Sequence, residues 1–484
     1  MALLKRAYGG VQPCWKVGIF RIRLPFIHFK ISPPEVVTGL MNACSSYGAL
    51  AVLITTMQLP VDIAHALIVF ETAMYTLNWV LGEPSICGWI TPAMAINIAF
   101  LETIDPGVAG TARLQAMTAI ELELAALFLI LGFTGLSKKL NTLVAPGLKA
   151  GIVMGAGVNS VVVRLAQGGA IDTVTIGTLA GLFIVFMLMF SQRVRKNMDH
   201  SRVLQILGNY SFLWAVIALY LFGWLGGNFQ FEFSGDFFRI PDFGALFIAC
   251  SPFSIGWAEP GMWLMAFPYA ITAWIISYGD FVTVQQLGLQ AVRDDEYIEF
   301  DPNRTNVICG LRNLILALFA PYPALAGPLS APYCVATYQR YRQSGRQGMD
   351  SIYDGSGTNL IFTVIGLFIY PLFEISLVSS AALLVLVLVI QGFACAQIAF
   401  DLVRDDLDKG MNGIMSGVII ARGAMQGLPA CIIIYLLLSD NQKIREDYAY
   451  NKENQRLEDE ETARQLAALQ ERMDAAKRGE LVED

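Results

Sequence analysis

Apolar stretches long enough to cross a bilayer recur along this chain from about residue 35 to residue 438, and nothing constrains its fold more. Inside hydrocarbon every backbone N–H and C=O must find a partner within the protein, which leaves helices or a closed barrel. The stretches run roughly 15–25 residues, the length of helices and not the ~10 of barrel strands. With 55% hydrophobic and 15% charged residues, the composition is far from that of a soluble domain. The expected fold is an all-α integral membrane protein of about 14 transmembrane segments, the first near 35–58 and the last near 423–438.

Inside these stretches a short phrase occurs twice, as Ser46-Tyr47-Gly48 and as Ser277-Tyr278-Gly279. A second echo follows each copy: Gly88-Trp89-Ile90-Thr91-Pro92-Ala93, then Gly327-Pro328-Leu329-Ser330-Ala331-Pro332. Gly/Pro-interrupted apolar segments at matching places in two halves mark an inverted-repeat transporter whose site lies at the breaks. The third, ninth, tenth and thirteenth segments are too short for a full span and read as half-helices, with the breaks in segments 3 and 10. Helices starting after Pro92 and Pro332 would aim free N–H groups and positive dipole ends at one pocket, which attracts anions or carbonyl-bearing rings. The candidate substrate-binding residues are Trp89, Thr91, Pro92 and Ala93 at the first break and Ser330, Ala331 and Pro332 at the second. Tyr47 and Tyr278 would add aromatic walls with a polar tip. The alternative is that the prolines only kink packed helices and the aromatics are core.

Lys and Arg in short loops stay cytoplasmic. Lys5, Arg6, Lys16, Arg21, Arg23 and Lys30 all precede the first acid, Glu35, so the N-terminus is expected inside. Even-numbered connections then hold Lys138 and Lys139, Arg293 and Arg304, Arg340 and Arg346, and Arg404 and Lys409. The expectation is a multi-pass protein of the plasma (inner) membrane with both termini cytoplasmic. It divides into an interfacial segment over 1–34, a seven-helix repeat over 35–226, an extracellular loop over 227–261, a second seven-helix repeat over 262–438 and a charged tail over 439–484. Val17 to Ser32 alternates apolar and basic residues, which suits an element lying against anionic headgroups. In the tail, Leu457, Leu466, Leu469 and Met473 fall at helical spacing, so it reads as a solvated helix or short coiled coil, or as partly disordered.

The eight cysteines are scattered and read as small core residues. Three histidines, at 28, 65 and 200, make a His-based metal site improbable. No phosphate loop, nucleophile elbow or HExxH occurs. The chain is therefore expected to be no enzyme, to need no cofactor and to bind no nucleic acid; its partners would be membrane lipid, a small solute and a coupling ion. Charged groups within the spans are the candidates for coupling to a proton or sodium ion: Asp280, Lys149, Glu121 and Glu123. Lys149 could pair with Glu121 or Glu123, attract an anion or snorkel to an interface. Asp280 could carry the coupling proton or cap backbone near the cytoplasmic side. Glu71, Asn78, Arg312 and Asn313 read as pairing within the bundle.

The broken segments 3 and 10 and the run Val144-Ala145-Pro146-Gly147-Leu148-Lys149-Ala150-Gly151-Ile152-Val153-Met154-Gly155-Ala156-Gly157 together resemble the uracil permease fold. Nucleobase–ascorbate transporters and sulfate-permease-type anion carriers share that fold, and Tyr278-Gly279-Asp280 is similar to the nucleobase family's eighth-segment pattern. The resemblance implies a core domain of segments 1–4 and 8–11 sliding against a gate of 5–7 and 12–14, with Gly147, Gly151, Gly155 and Gly157 allowing close contact at that sliding face. It also implies an elevator-like, proton-coupled permease for a nucleobase of the xanthine or uracil type, dimerising through the gate. The chain departs from the pattern where the family carries carboxylates: Ile276 or Ser277 stands at the first such position, Leu329 and Ser330 at the second. The alternative is a small organic or inorganic anion held by Lys149 and the helix N-termini. A channel or a membrane scaffold using the tail are the other classes.

Overall fold

The computed structural model describes residues 2–165, 170–172, 175–198, 201–209 and 211–478; His200 and the last six residues of the expected tail lie outside the described residues. Its main helices are labelled here α1 (Pro33–Ser46), α2 (Val61–Ala73), α3 (Thr91–Glu102), α4 (Thr111–Thr134), α5 (Pro146–Leu165), α6 (Thr175–Val185) and α7 (Ser211–Leu225). The second half supplies α8 (Pro260–Ala291), α9 (Pro302–Phe319), α10 (Ala331–Gly348), α11 (Ile352–Gly366), α12 (Tyr370–Leu402), α13 (Asp406–Leu438) and α14 (Asn441–Lys477). Among the described residues, four stretches are long and apolar enough to cross a membrane: Pro33–Thr55, Thr111–Thr134, Tyr370–Leu402 and Asp406–Leu438.

Prolines begin several of the helices, while Pro268 and Pro429 lie inside α8 and α13. α1, α3, α8, α9, α10 and α12 each carry one in the first turn, where the missing N–H would have had no intrahelical partner. Side chains stand in for other absent carbonyls: Asp301 accepts from the amides of Asn303 at 3.0 Å and Arg304 at 3.3 Å, and Asp405 accepts from the Asp408 amide at 2.8 Å. Segment lengths differ from the sequence expectation in two places. The ninth is an unbroken helix of 18 residues. The thirteenth and fourteenth are one helix, α13, bent at Gly423, whose φ of 66° and ψ of −175° interrupt the helical path.

Among the described residues there are six short strands: β1 (Gly10–Val11), β2 (Trp15–Val17), β3 (Phe20–Ile22), β4 (Gly88–Trp89), β5 (Glu296–Tyr297) and β6 (Ala326–Gly327). β2 and β3 form a hairpin, β1 runs parallel to β5, and β4 pairs antiparallel with β6. The N-terminal segment is thereby tied to the α8–α9 connection, a tie reinforced by Arg6, which bonds Asp295 at 2.6 Å.

The glycines of α5 do not face a sliding surface between the proposed core and gate. A Cβ at Gly151 would lie 2.6 Å from the Met415 Cβ, one at Gly155 2.7 Å from the Ile419 Cβ, and one at Gly157 would meet Cys395. These contacts are with α13 and α12, so the glycines pack α5 tightly against those two helices.

Arg304 and Glu83 join the halves where both side chains are at most 1% exposed, at 2.7 Å, and the Thr305 hydroxyl donates to the second Glu83 oxygen at 2.8 Å. Removing one partner of such a pair leaves a buried charge uncompensated. Arg304→Met is therefore expected to destabilise the protein by about 3–5 kcal/mol, read as a lower melting temperature in detergent, with Glu83→Gln/Arg304→Met recovering most of the loss.

Candidate functional site

β4 and β6 cross in the interior, Gly88 opposite Gly327 and Trp89 opposite Ala326. The ladder extends by one residue, since the Ile90 amide donates to the carbonyls of Ala324 at 3.1 Å and Leu325 at 3.3 Å. α3 starts two residues after β4 and α10 four residues after β6, so each strand delivers a helix N-terminus to the crossing. A Cβ at Gly88 would sit 2.9 Å from the Ser330 Cβ, and one at Gly327 3.0–3.2 Å from Ile90 side-chain and backbone atoms and the Trp89 carbonyl carbon. No other residue type lets the strands approach this closely. Thr91 follows Gly88 by three residues, so the two N-termini lie on the order of 10–15 Å apart at most.

Polar side chains from five helices, α3, α4, α9, α11 and the short helix Thr76–Val80, hold the irregular backbone. On the second-half strand, Asn313 donates to the Ala326 carbonyl at 2.8 Å and accepts from its amide at 2.9 Å. Arg312 donates to the Gly327 carbonyl at 2.8 Å, Glu121 accepts from the Tyr322 amide at 3.0 Å, and Asn97 donates to the Pro323 carbonyl at 2.9 Å. On the first-half strand, Asn78 donates to the Ser85 carbonyl at 2.8 Å and the Ser330 amide to the Ile86 carbonyl at 2.8 Å. Ser356 donates to the Pro84 carbonyl at 2.6 Å. This satisfies the requirement that non-helical backbone in an apolar interior be bonded by the protein itself. Residues 324–329 and 90 are buried behind the crossing, whereas Trp89, Thr91 and Ser330 are half-buried and Ala331 and Pro332 are exposed. The N-terminal ends of the helices thus open onto accessible space with a sealed wall behind.

The residues singled out from sequence divide into two groups. Trp89, Thr91, Pro92, Ala93, Ser330, Ala331 and Pro332 are brought together at the crossing. Tyr47 and Tyr278 are not at it: the Tyr47 hydroxyl donates to the Leu367 carbonyl at 2.8 Å while its ring packs on Phe373, and the Tyr278 hydroxyl donates to Gln455 of α14 at 3.1 Å. Glu121, read as an ion-coupling group, accepts from the Tyr322 amide and so braces the loop into β6. Glu123, two residues on along α4 and so nearly opposite Glu121 around the helix, is half-buried. Lys149 stands in the first turn of α5 rather than mid-segment, and the charge acting on it is Glu458 of α14, not Glu121 or Glu123. Asp280 lies half-buried on α8 without a hydrogen-bond or ion-pair partner among the described residues. Sequence reading passed over Asn97 and the 2.6 Å hydroxyl contact of Ser45 with Tyr333 in the first turn of α10. A lone Asn inside the apolar third segment was the available signal for the first.

No protein-family model matches this chain, and no curated protein matches it. Among solved structures it is similar to murine Solute Carrier 26 family member A9 (Slc26a9), an anion transporter in the inward-facing state, at 12% identity and a TM-score of 0.48 over 88% of this chain and 69% of that one. It is similar to SLC26A9 in a second structure at 13% identity and a TM-score of 0.44, covering 84% of this chain and 65% of that one. It is also similar to the transmembrane domain of a cyanobacterium bicarbonate transporter, BicA, at 15% identity and a TM-score of 0.47 over 82% of this chain and 97% of that one.

Proposed function

We propose that this protein is a secondary carrier of a small anion, built as a seven-plus-seven inverted repeat with its binding site at the crossing of β4 and β6. The observation that carries the reading is the Gly88/Gly327 ladder, in which each half contributes one extended strand and one helix N-terminus. Two such N-termini turn the positive ends of their helix dipoles to the same space, each worth about 0.3–1 kcal/mol toward an anion and up to ~2 when partly buried. Thr91 and Ser330 add hydroxyl donors. A nucleobase is less well served, because the positions from which carboxylates would accept ring N–H groups carry Ile276 or Ser277 and Leu329 with Ser330.

In this reading α1–α4 and α8–α11 form the body that carries the site, and α5–α7 with α12–α13 form the body it moves against, in the plasma membrane with both termini inside. Asp280 is the coupling group. Its unpaired carboxylate repels an anion when ionised and ceases to when protonated, so anion and proton would move together.

Reconstituted protein should take up sulfate, bicarbonate or a simple carboxylate faster under an inward proton gradient. Asp280→Asn should retain uptake and lose that acceleration. Uptake of uracil or xanthine with none of these anions would overturn the anion assignment, and full proton dependence in Asp280→Asn would remove Asp280 from coupling.

A further inference from the structure

α14 is joined to two different parts of the molecule in two different ways. Its beginning is fixed to α13 and the α12–α13 connection by a compact ion cluster: Lys443 meets Asp405 at 2.7 Å, Asp408 at 3.0 Å and Asp447 at 3.1 Å, and Arg404 meets Asp447 at 2.8 Å. The Tyr435 hydroxyl donates to the other Asp447 oxygen at 2.9 Å, and Asp447 is 1% exposed. Burial alone would lower the Lys443 ammonium pKa, but its hydrogen bonds to Asp405, Asp408 and Asp447 outweigh that and raise the pKa, so Lys443 stays charged through the neutral range. Next along the helix, Asn451 donates to the carbonyls of Thr142 at 3.1 Å and Val144 at 2.9 Å, at the start of α5.

Further on, α14 reaches α8 and the α4–α5 connection, and the joint changes character. It consists of single contacts: Tyr278 to Gln455 at 3.1 Å, Gln285 to Thr462 at 3.4 Å, and an exposed ion pair of Lys138 with Asp459. Between them lies a cavity of about 410 Å³ lined by Gln285, Gln286, Gln290, Asn306 and Glu458. Single neutral hydrogen bonds and an exposed ion pair each add little net stability compared with a buried ion cluster, so this joint is the weaker.

We propose that α14 is a releasable strap: anchored on α13 at Asp447, it reaches across to α8 and holds the two bodies together until the Tyr278, Gln285 and Lys138 contacts let go. The inference rests on the carrier reading above, because α8 belongs to the body that moves. α14 leaves one body and seats on the other, so a displacement of α8 relative to α13 must break the seat or stop.

The test is a reversible clamp on the full-length chain. Gln285→Cys/Thr462→Cys bridged by a bifunctional methanethiosulfonate reagent should lower anion uptake about tenfold or more, as expected when gating motion limits the rate, and reductant should restore it. Tyr278→Phe/Gln455→Ala/Thr462→Ala should raise the initial rate about two- to fivefold by shifting the population toward the released state. Unchanged uptake in the bridged protein overturns the strap. Absence of uptake in the unmodified parent overturns the carrier reading instead, so the two failures are separable. If bridged protein stays inactive after reductant, the double-cysteine substitution itself is responsible, and unaltered rates in the seat variant then decide against the strap.

Discussion

Gly327→Val will cut solute uptake about 100-fold while the protein still reaches the membrane, and Gly88→Val will do the same. A Cβ at 327 falls 3.1 Å from the Trp89 carbonyl carbon and 3.2 Å from the Ile90 nitrogen, both backbone atoms of the facing strand. Backbone cannot yield as a side chain can, because Ile90 is itself bonded to Ala324 and Leu325. The remaining route is for the strands to separate, which pulls α3 and α10 apart and widens the gap between their N-termini. Overpacking of this kind costs about 1–3 kcal/mol, equivalent to roughly 10–100-fold in the population of the binding-competent arrangement. Two further methyls on valine put the effect at the upper end. Gly413→Ala is the comparison: a Cβ there meets nothing within 4 Å, so its uptake should equal that of the parent. If Gly327→Val transported normally, the crossing would not be where solute binds.

What could be read from the chain beforehand was whatever depends on local pattern. The helix starts at Pro92 and Pro332 were legible because a proline in the first turn costs a helix no internal hydrogen bond, and the two breaks were legible because Gly and Pro recur at matching offsets. Which side chains gather at the breaks was legible only for those within a few residues of the ladder. Tyr47 and Tyr278 carry the repeated phrase, yet a helix turns 100° per residue, and a three-letter echo does not say which face meets the pocket. Lys149 shows the same limit in depth: a hydropathy window places it mid-segment, but α5 begins only at Pro146, and its charge partner comes from the tail, more than 300 residues away in sequence. The α5 glycines were correctly read as close-packing positions and assigned to the wrong neighbour, since small residues announce an approach without naming what approaches. Asn97, Asn313 and Glu121 share one feature that sequence does show: each is a polar group within an apolar helix. Their common role became visible only once the strand segment they clasp was in place.

Arg312→Met is expected to cut anion uptake about 100-fold, the equivalent of roughly 3 kcal/mol. The guanidinium is fully buried and donates to the Gly327 carbonyl at 2.8 Å, with its centre 5.1 Å from the Tyr75 ring. Nε and Nη2 have no hydrogen-bond partner among the described residues, and one Glu71 oxygen is likewise without one. Glu71 is among the charges acting on Arg312, so two roles have to be told apart. If Arg312 only balances Glu71 and props the strand, then Glu71→Gln/Arg312→Met removes both charges, and regain of thermal stability should bring uptake back with it. If the guanidinium also supplies the positive field behind the crossing, the double variant should recover its melting temperature yet remain a poor anion carrier with a raised KM. The second outcome is the one expected, because loss of the charge takes away a field that water cannot screen in a sealed wall. Arg312→Lys should fall between, keeping the charge while losing the planar fork that reaches the Gly327 carbonyl. Recovery of both stability and uptake in the double variant would reduce Arg312 to a structural counter-ion.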